Sequence, residues 1–367
     1  MKIERAIVSG GGTGGHIFPA IAIADEIKRR NPDVKILFVG AEGKMEMEKV
    51  PAAGYTIKGL PIAGLQRKLT FSNFLLPFKI IGSMLKARRI VKQFKPQVAV
   101  GVGGYASGPT LKAATMLGVP CIIQEQNAFA GKTNKLLSKS VRKICVAYDG
   151  LERFFPKEKL VFTGNPTRKD MVQISGKETE GYSFYNFDPA LKTILIIGGS
   201  LGARTLNDSV IEHLSEIKDS GVQVLWQCGK LYHPQLLEQL KDQDLGHIHL
   251  VEFIARMDLA YAIADVVISR AGAISVSELC LVQKPAILVP SPNVAEDHQT
   301  KNAMALVDKE AAILVKDADA REILISTALA LLANEEKCKT LAANAGQLGK
   351  PNATAEIIDV LESILSE

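Results

Sequence analysis

The sequence predicts an α/β protein made of two Rossmann-like domains, each a parallel sheet covered by helices. Three observations carry this. Short apolar runs without polar alternation recur along the chain, as strands buried on both faces require. Each run meets a glycine-containing turn and then apolar positions at helical spacing, the alternation that builds parallel sheets. The pattern also returns: Gln97-Val98-Ala99-Val100 with Gly103-Gly104 resembles Asp265-Val266-Val267-Ile268 with Ala271-Gly272, 168 positions later.

Taken in order, Ala6-Ile7-Val8 reads as the first strand and leads into Gly10-Gly11-Gly12-Thr13-Gly14-Gly15. A helix follows through Ile17, Ala20, Ile21, Ala24 and Ile27, and Val34–Val39 is the next strand. After each member of the repeated pair comes a helix and then a Pro-led strand, Val119–Ile123 and Lys284–Val289. Leu160-Val161-Phe162 runs into the turn Gly164-Asn165-Pro166, which places the domain boundary there: a first domain over 1–163 and a second over 164–349. Residues 171–190 are polar and read as a loop. Thr193–Ile197 opens the second sheet, followed by Gly198-Gly199-Ser200-Leu201-Gly202-Ala203-Arg204 and a helix. Ala353–Leu365 is a final helix, with Ile357, Ile358, Leu361, Ile364 and Leu365 at helical spacing.

A chain of 367 residues exceeds one ordinary core, and 47% hydrophobic with 23% charged residues is ordinary globular composition. The five cysteines lack C-x-x-C spacing, which argues against a zinc site or a disulfide framework and points to a reducing compartment. Met1–Glu4 leads straight into a strand, so no signal peptide is expected, and no apolar run reaches the ~20 residues that span a bilayer. The net charge of +5 is unevenly spread. Between Lys49 and Gln124 there is no Asp or Glu, while Lys58, Arg67, Lys68, Lys79, Lys86, Arg88, Arg89, Lys92, Lys95 and Lys112 fall inside. A one-signed stretch of this kind calls for an anionic partner: phospholipid, nucleic acid or a phosphorylated substrate.

A glycine loop between strand and helix offers bare backbone N–H groups and a helix N-terminus to one point, a site suited to phosphate. Such loops stand at residues 10–15, 101–104, 198–202 and 270–273. None continues into Gly-Lys-Ser/Thr, so ATP hydrolysis is not indicated. None is a clean G-x-G-x-x-G, and the acidic residue that a dinucleotide would want arrives late, as Glu42, so no NAD and no other cofactor is expected.

The ordered set Gly11-Gly12-Thr13-Gly14-Gly15-His16, Gly101-Val102-Gly103-Gly104-Tyr105, Gln124-Glu125-Gln126-Asn127, Gly164-Asn165-Pro166-Thr167-Arg168, Gly198-Gly199-Ser200 and Ser269-Arg270-Ala271-Gly272-Ala273 through Glu278 resembles the MurG family of glycosyltransferases over nearly the whole chain. The resemblance implies the GT-B fold, two Rossmann-like domains facing across a cleft, with the C-terminal helix of 350–367 packing back on the first domain. It implies inverting, metal-independent transfer of N-acetylglucosamine from UDP-N-acetylglucosamine to undecaprenyl-pyrophosphoryl-N-acetylmuramoyl-pentapeptide, the lipid-linked peptidoglycan precursor. It also implies a peripheral enzyme on the cytoplasmic face of the membrane.

Residue by residue, His16 suits a general base, since a neutral imidazole near pH 7 takes a hydroxyl proton and a helix N-terminus disfavours its protonation. Capping or packing at the loop, or binding the acceptor, are the other roles open to it. Asn127, the second catalytic candidate, follows a strand end, where open α/β sheets place ligands, and its amide can bond sugar hydroxyls on either side of the reaction; an Asx turn before Gly131 is the bland reading. By resemblance the donor residues are Thr13, Gly14, Gly15, Asn127, Arg168, Ser200, Phe253, Ile254, Ala273, Glu278 and Gln299. Among these, Arg168 and Ser200 face the pyrophosphate, Glu278 the ribose, Phe253-Ile254 with Met257 the uracil, and Gln299 the sugar. The acceptor residues are Gly14, Gly15, His16, Gly103, Gly104 and Tyr105. Leu201 and Thr300 replace glutamines common in the family, so two polar donor contacts are in question. The strings Asp242-Gln243-Asp244 and Asp317-Ala318-Asp319 read as solvated loops rather than metal sites.

Residues 71–95 combine Phe71, Phe74, Leu75, Phe78, Ile81, Leu85 and Ile90 with six basic residues, a basic amphipathic pattern that suits an anionic phospholipid surface or the packing of a Rossmann helix on its own sheet. No RNA-binding or helix-turn-helix signal accompanies it, so nucleic acid is not expected as a partner. Two rivals remain open: a UDP-N-acetylglucosamine 2-epimerase of the same fold, and a non-catalytic nucleotide-sugar-binding subunit.

Overall fold

The apolar runs form two separate, wholly parallel sheets in the computed structural model, which describes residues 2–62, 76–167 and 173–366. The first has seven strands: β1 (Arg5–Ser9), β2 (Lys35–Ala41), β3 (Thr56–Leu60), β4 (Val98–Gly101), β5 (Cys121–Glu125), β6 (Lys143–Val146) and β7 (Leu160–Phe162). Their order is β3-β2-β1-β4-β5-β6-β7, with Ile7 of β1 opposite Leu37 on one side and Ala99 on the other. Helices α1 (Gly14–Arg30), α2 (Glu46–Ala52), α3 (Leu76–Phe94), α4 (Ser107–Met116) and α5 (Lys132–Leu137) connect them. Successive residues of a strand point to opposite faces, and both faces are buried. Ile7, Val39, Ala99 and Ile123 therefore pack with Ala87, Ile90 and Val91 of α3 and Leu111 of α4, while Ala6, Val8, Val100 and Ile122 pack with Ile17, Ile23 and Ile27 of α1.

The second sheet comprises β8 (Thr193–Ile197), β9 (Gln223–Gln227), β10 (Ile248–Val251), β11 (Val266–Ser269), β12 (Ala286–Leu288) and β13 (Ile313–Leu314), in the order β10-β9-β8-β11-β12-β13. Its helices are α6 (Glu178–Tyr185), α7 (Arg204–Glu212), α8 (Leu214–Asp219), α9 (His233–Leu240), α10 (Met257–Ile263), α11 (Ala273–Val282), α12 (His298–Val307), α13 (Ala320–Leu332) and α14 (Glu335–Leu348). The two compact units are Met1–Thr167 with Pro351–Glu367, and Arg168–Lys350.

Helix α6 corrects the loop expected over 171–190. Its own sequence shows little helical periodicity, and α10 holds it from outside. A Cβ on Gly181 would come within 2.6 Å of Ile263 and 2.9 Å of the Leu259 carbonyl, so a bare backbone is what allows the approach. Lys177 pairs with Asp258 at 2.7 Å, Arg256 with Glu180 at 3.1 Å, and the Tyr185 hydroxyl donates to the Arg256 carbonyl.

The last helix, α15 (Ala353–Ser363), belongs to the first unit, where Ile357, Ile358, Leu361 and Ile364 join the core beside α1. Arg30 of α1 ties it down through Asp359 at 2.6 Å, Glu362 at 3.1 Å and the Ala355 carbonyl at 2.9 Å. Glu26 holds Arg30 in turn, at 3.1 Å, and Arg29 at 2.7 Å. The hydrogen bond from Arg29 is the main reason that the Glu26 carboxyl, though buried, falls from its ordinary 4.5 to about 2. A depressed carboxyl stabilises the fold above its unfolded value and loses that contribution as pH falls through its folded value. Arg30→Ala is expected to cost about 2 kcal/mol at pH 7, read from the urea midpoint, and the part of that loss carried by Glu26 should fade as pH falls from 4.5 toward about 2. Equal midpoints at pH 7 would show that the cluster does not hold α15.

Candidate active site

Within each sheet the order of strands reverses at one point. The chain leaves β1 toward β2 but β4 toward β5, and leaves β8 toward β9 but β11 toward β12. Loops at the carboxyl ends of such strands part and leave a crevice, the ordinary ligand position of open α/β sheets. All four glycine loops lie at these two points.

In the first unit, residues 10–15 follow β1 and residues 102–106 follow β4, and the two loops touch. A Cβ on Gly10 would lie 2.0 Å from Val102 Cγ2, and one on Gly104, at φ +83°, would lie 2.4 Å from the Gly11 carbonyl oxygen. The N-termini of α1 and α4 open at the same edge. His16, in the first turn of α1, sets its Nδ1 3.1 Å from the Gly11 carbonyl, with Thr13 Oγ1 at 3.4 Å. A carbonyl only accepts, so Nδ1 carries the proton and the lone pair of the neutral ring is on Nε2. Gly103, at φ +92°, makes room for that ring: its Cβ would be 2.9 Å from His16 Nε2. Tyr105 is half-exposed on the same loop.

Asn127 sits just past β5. Its N–H and its side-chain amide both donate to Glu125 Oε1, at 3.1 and 3.3 Å. Glu125 is buried and also accepts from Gly131 N and Asn134 Nδ2, each at 2.9 Å. The loop is folded around this carboxylate, whose role the sequence reading missed although Glu125 stood in the quoted string.

In the second unit a pocket of about 400 Å³ is lined by Gly198, Gly199, Gly202, Arg204, Ser269, Arg270, Gly272, Ser275, Gln299 and Asp317. The N-termini of α7, at Arg204, and α11, at Ala273, both open on it, so two helix dipoles favour an anion there. Ser200 and Leu201 are exposed on the first loop. Gln299 lines the pocket and braces it, accepting from Ser291 N at 2.8 Å. The Thr300 hydroxyl donates to Asp297 at 2.7 Å, a local contact at the start of α12. Glu278 lies one turn beyond Ser275 on α11, and its Oε2 accepts from the hydroxyl of fully buried Tyr261 at 3.2 Å. Burial and the Glu278 carboxylate keep that hydroxyl protonated. Phe253 is exposed, whereas Ile254 and Met257 are buried in the core; Ile254 N donates to Gln227 at 3.0 Å. Arg168 lies outside the described residues, as do Phe71, Phe74 and Leu75.

Asp317 corrects the reading of its string as solvated. It follows the short strand β13, ion-pairs with Arg270 and accepts from Thr205 Oγ1 at 3.0 Å. Arg270 also donates to the Val289 carbonyl at 3.0 Å, so this pair fastens the ends of β11 and β12 beside the pocket. Asp242 and Asp244 do lie exposed, in a turn after α9.

Residues 6–146 match the glycosyltransferase family 28 N-terminal domain and residues 193–359 its C-terminal domain. A protein of Cytophaga hutchinsonii named UDP-N-acetylglucosamine--N-acetylmuramyl-(pentapeptide) pyrophosphoryl-undecaprenol N-acetylglucosamine transferase is 54% identical over 100% of this chain and 98% of its own. A Bacteroides fragilis protein of the same name is 56% identical over 96% of this chain and 93% of its own. The crystal structure of Acinetobacter baumannii MurG superposes with a TM-score of 0.77 at 30% identity, covering 98% of this chain and 99% of that one. A UDP-N-acetylglucosamine 2-epimerase structure superposes with a TM-score of 0.66 at 11% identity, a likeness of fold alone.

Proposed function

Because this chain belongs to glycosyltransferase family 28, we propose that it moves N-acetylglucosamine from UDP-N-acetylglucosamine to the muramoyl 4-hydroxyl of undecaprenyl-pyrophosphoryl-N-acetylmuramoyl-pentapeptide, with inversion, in peptidoglycan synthesis. The observation that carries this is the 54% identity, along the full chain, to a transferase of that name. The epimerase reading is not favoured, since the epimerase structure is only 11% identical, a likeness of fold alone.

In this reading the second unit holds the donor. The α7 and α11 N-termini, with Ser200 and Arg168, take the pyrophosphate; Glu278 takes the ribose; Phe253 and the backbone at Ile254 take the uracil; Gln299 takes sugar hydroxyls. The first unit holds the acceptor, whose pyrophosphate lies against Gly14, Gly15, Gly103, Gly104 and Tyr105, with Thr13 beside them. His16 Nε2 removes the proton of the 4-hydroxyl as that oxygen attacks the anomeric carbon. The bond from that carbon to the UDP oxygen breaks on the opposite face, and UDP leaves with the electron pair. The test is incubation with labelled UDP-N-acetylglucosamine and the lipid-linked acceptor, with and without EDTA. No label in the lipid would sink the assignment, and EDTA-sensitive transfer would sink the metal-free mechanism.

The lipid acceptor suggests a peripheral enzyme on an anionic, cytoplasmic membrane face. No described helix is long and apolar enough to cross a membrane. Helix α3 buries Ser83, Ala87, Ile90 and Val91 on its sheet and leaves Ile81, Leu85, Arg88 and Arg89 exposed. An apolar patch with basic neighbours suits lipid, at about 1 kcal/mol per basic residue near the surface. Arg88→Glu with Arg89→Glu is therefore expected to weaken sedimentation with phosphatidylglycerol vesicles at least tenfold; unchanged binding would remove α3 from the membrane contact.

A further inference from the structure

Glu46, the first residue of α2, is 1% exposed, and among the described residues no cation pairs with it. A buried carboxylate is costly unless hydrogen bonds meet it. Two backbone groups do so: Gly12 N donates to Oε2 at 2.9 Å and Ala41 N to Oε1 at 2.9 Å. Two glycines admit the side chain. A Cβ on Gly11 would lie 2.1 Å from Glu46 Oε1, and one on Gly40 would lie 2.6 Å from its Cγ. The carboxylate thus ties the end of β2 to the first glycine loop from beneath. It also takes the Gly12 N–H, so that an anion at this loop meets N–H donors from Thr13 onward. Gly11, packed directly against the carboxylate, supplies the carbonyl that accepts from His16 Nδ1.

We propose that Glu46 is a positioning residue for His16: by fixing the Gly11–Gly12 backbone it holds the imidazole in place with its proton on Nδ1 and its lone pair on Nε2. This rests on His16 being the base in the reading above. Without Glu46 the Gly11–Gly12 peptide loses the hydrogen bond at Gly12 N and is braced only by the contact with Gly104, so the carbonyl can turn and the ring can take either tautomer. A misaligned base of this kind costs about 10²-fold in rate.

The test is ¹⁵N NMR of histidine-labelled protein, with the His16 signals assigned by their loss in His16→Gln. Wild type should show one tautomer, protonated at Nδ1; Glu46→Ala should show both. Its kcat should fall about 10²-fold, with the KM for UDP-N-acetylglucosamine within about twofold of wild type. Glu46→Gln keeps the volume and one acceptor and should fall between; it also serves if Glu46→Ala does not fold. An unchanged tautomer in either folded variant, whatever its rate, would overturn the proposal. The tautomer is read without substrate, so a wild type that fails to glycosylate the lipid sinks the functional reading and leaves this measurement standing.

Discussion

His16→Gln is expected to lower kcat about 10³-fold while leaving UDP-N-acetylglucosamine binding unchanged. Removing a general base typically costs 10²–10⁴-fold, about 4 kcal/mol at the middle of that range. Glutamine keeps a side chain of similar reach, but its amide has no basic lone pair at neutral pH. Donor affinity should hold because His16 belongs to the first unit, whereas the glycine-lined pocket at α7 and α11 belongs to the second. Steady-state kinetics in both substrates, with calorimetric titration of UDP, separate the outcomes. If saturating acceptor restores kcat, His16 binds the acceptor and is not the base. If kcat falls at saturation with UDP binding intact, the base role stands.

Gly202→Ala should disable the donor pocket, whereas Gly199→Ala should not. Both glycines have positive φ, +89° and +81°. Each alanine therefore carries left-handed strain of about 1–2 kcal/mol. Only Gly202 adds a collision: its Cβ would lie 2.1 Å from the Cys228 carbonyl oxygen and 2.6 Å from the Tyr232 ring, while nothing lies within 4 Å of one on Gly199. A backbone carbonyl cannot swing aside as a flexible side chain can. Relief requires moving the loop, and with it the N-terminus of α7. The expected loss at Gly202 is about 3–4 kcal/mol of stability and at least 10²-fold in UDP affinity; at Gly199 it is about 1 kcal/mol and a few-fold. Thermal melts and UDP titration of the two variants decide it, and equal effects would mean that strain alone matters at this loop.

The elements that were legible in the sequence are those whose signal is local. Thr193–Ile197 reads as a buried strand from five consecutive residues, and the structure forms it over the same span. The glycine loops announce themselves because only glycine tolerates the positive φ and close approach seen at Gly103 and Gly104. Family resemblance then attached a substrate to loops that by themselves promised only a phosphate.

Other features needed the folded chain. Helix α6 forms because α10 packs against it, and its own residues 178–185 carry little periodicity. Asp317 reads as a loop acid until the ends of β11, β12 and β13 meet around Arg270. Glu46, Glu125 and Tyr261 show no local pattern either. Glu125 is revealed by its burial and by the loop of Asn127, Gly131 and Asn134 that folds around it, Glu46 and Tyr261 by partners such as Gly12, which lies 34 positions from Glu46. Periodicity and turn chemistry are written within a few residues, so the sequence by itself determined the two parallel sheets and the points where an anion can bind. His16 and Asn127 bond to groups only five and two residues away, Gly11 and Glu125. The groups that brace these loops and Glu278, such as Glu46 on Gly12 and Tyr261 on Glu278, lie 34 and 17 positions off and reach hydrogen-bond distance only through folding, so the tertiary structure decided how the site is held.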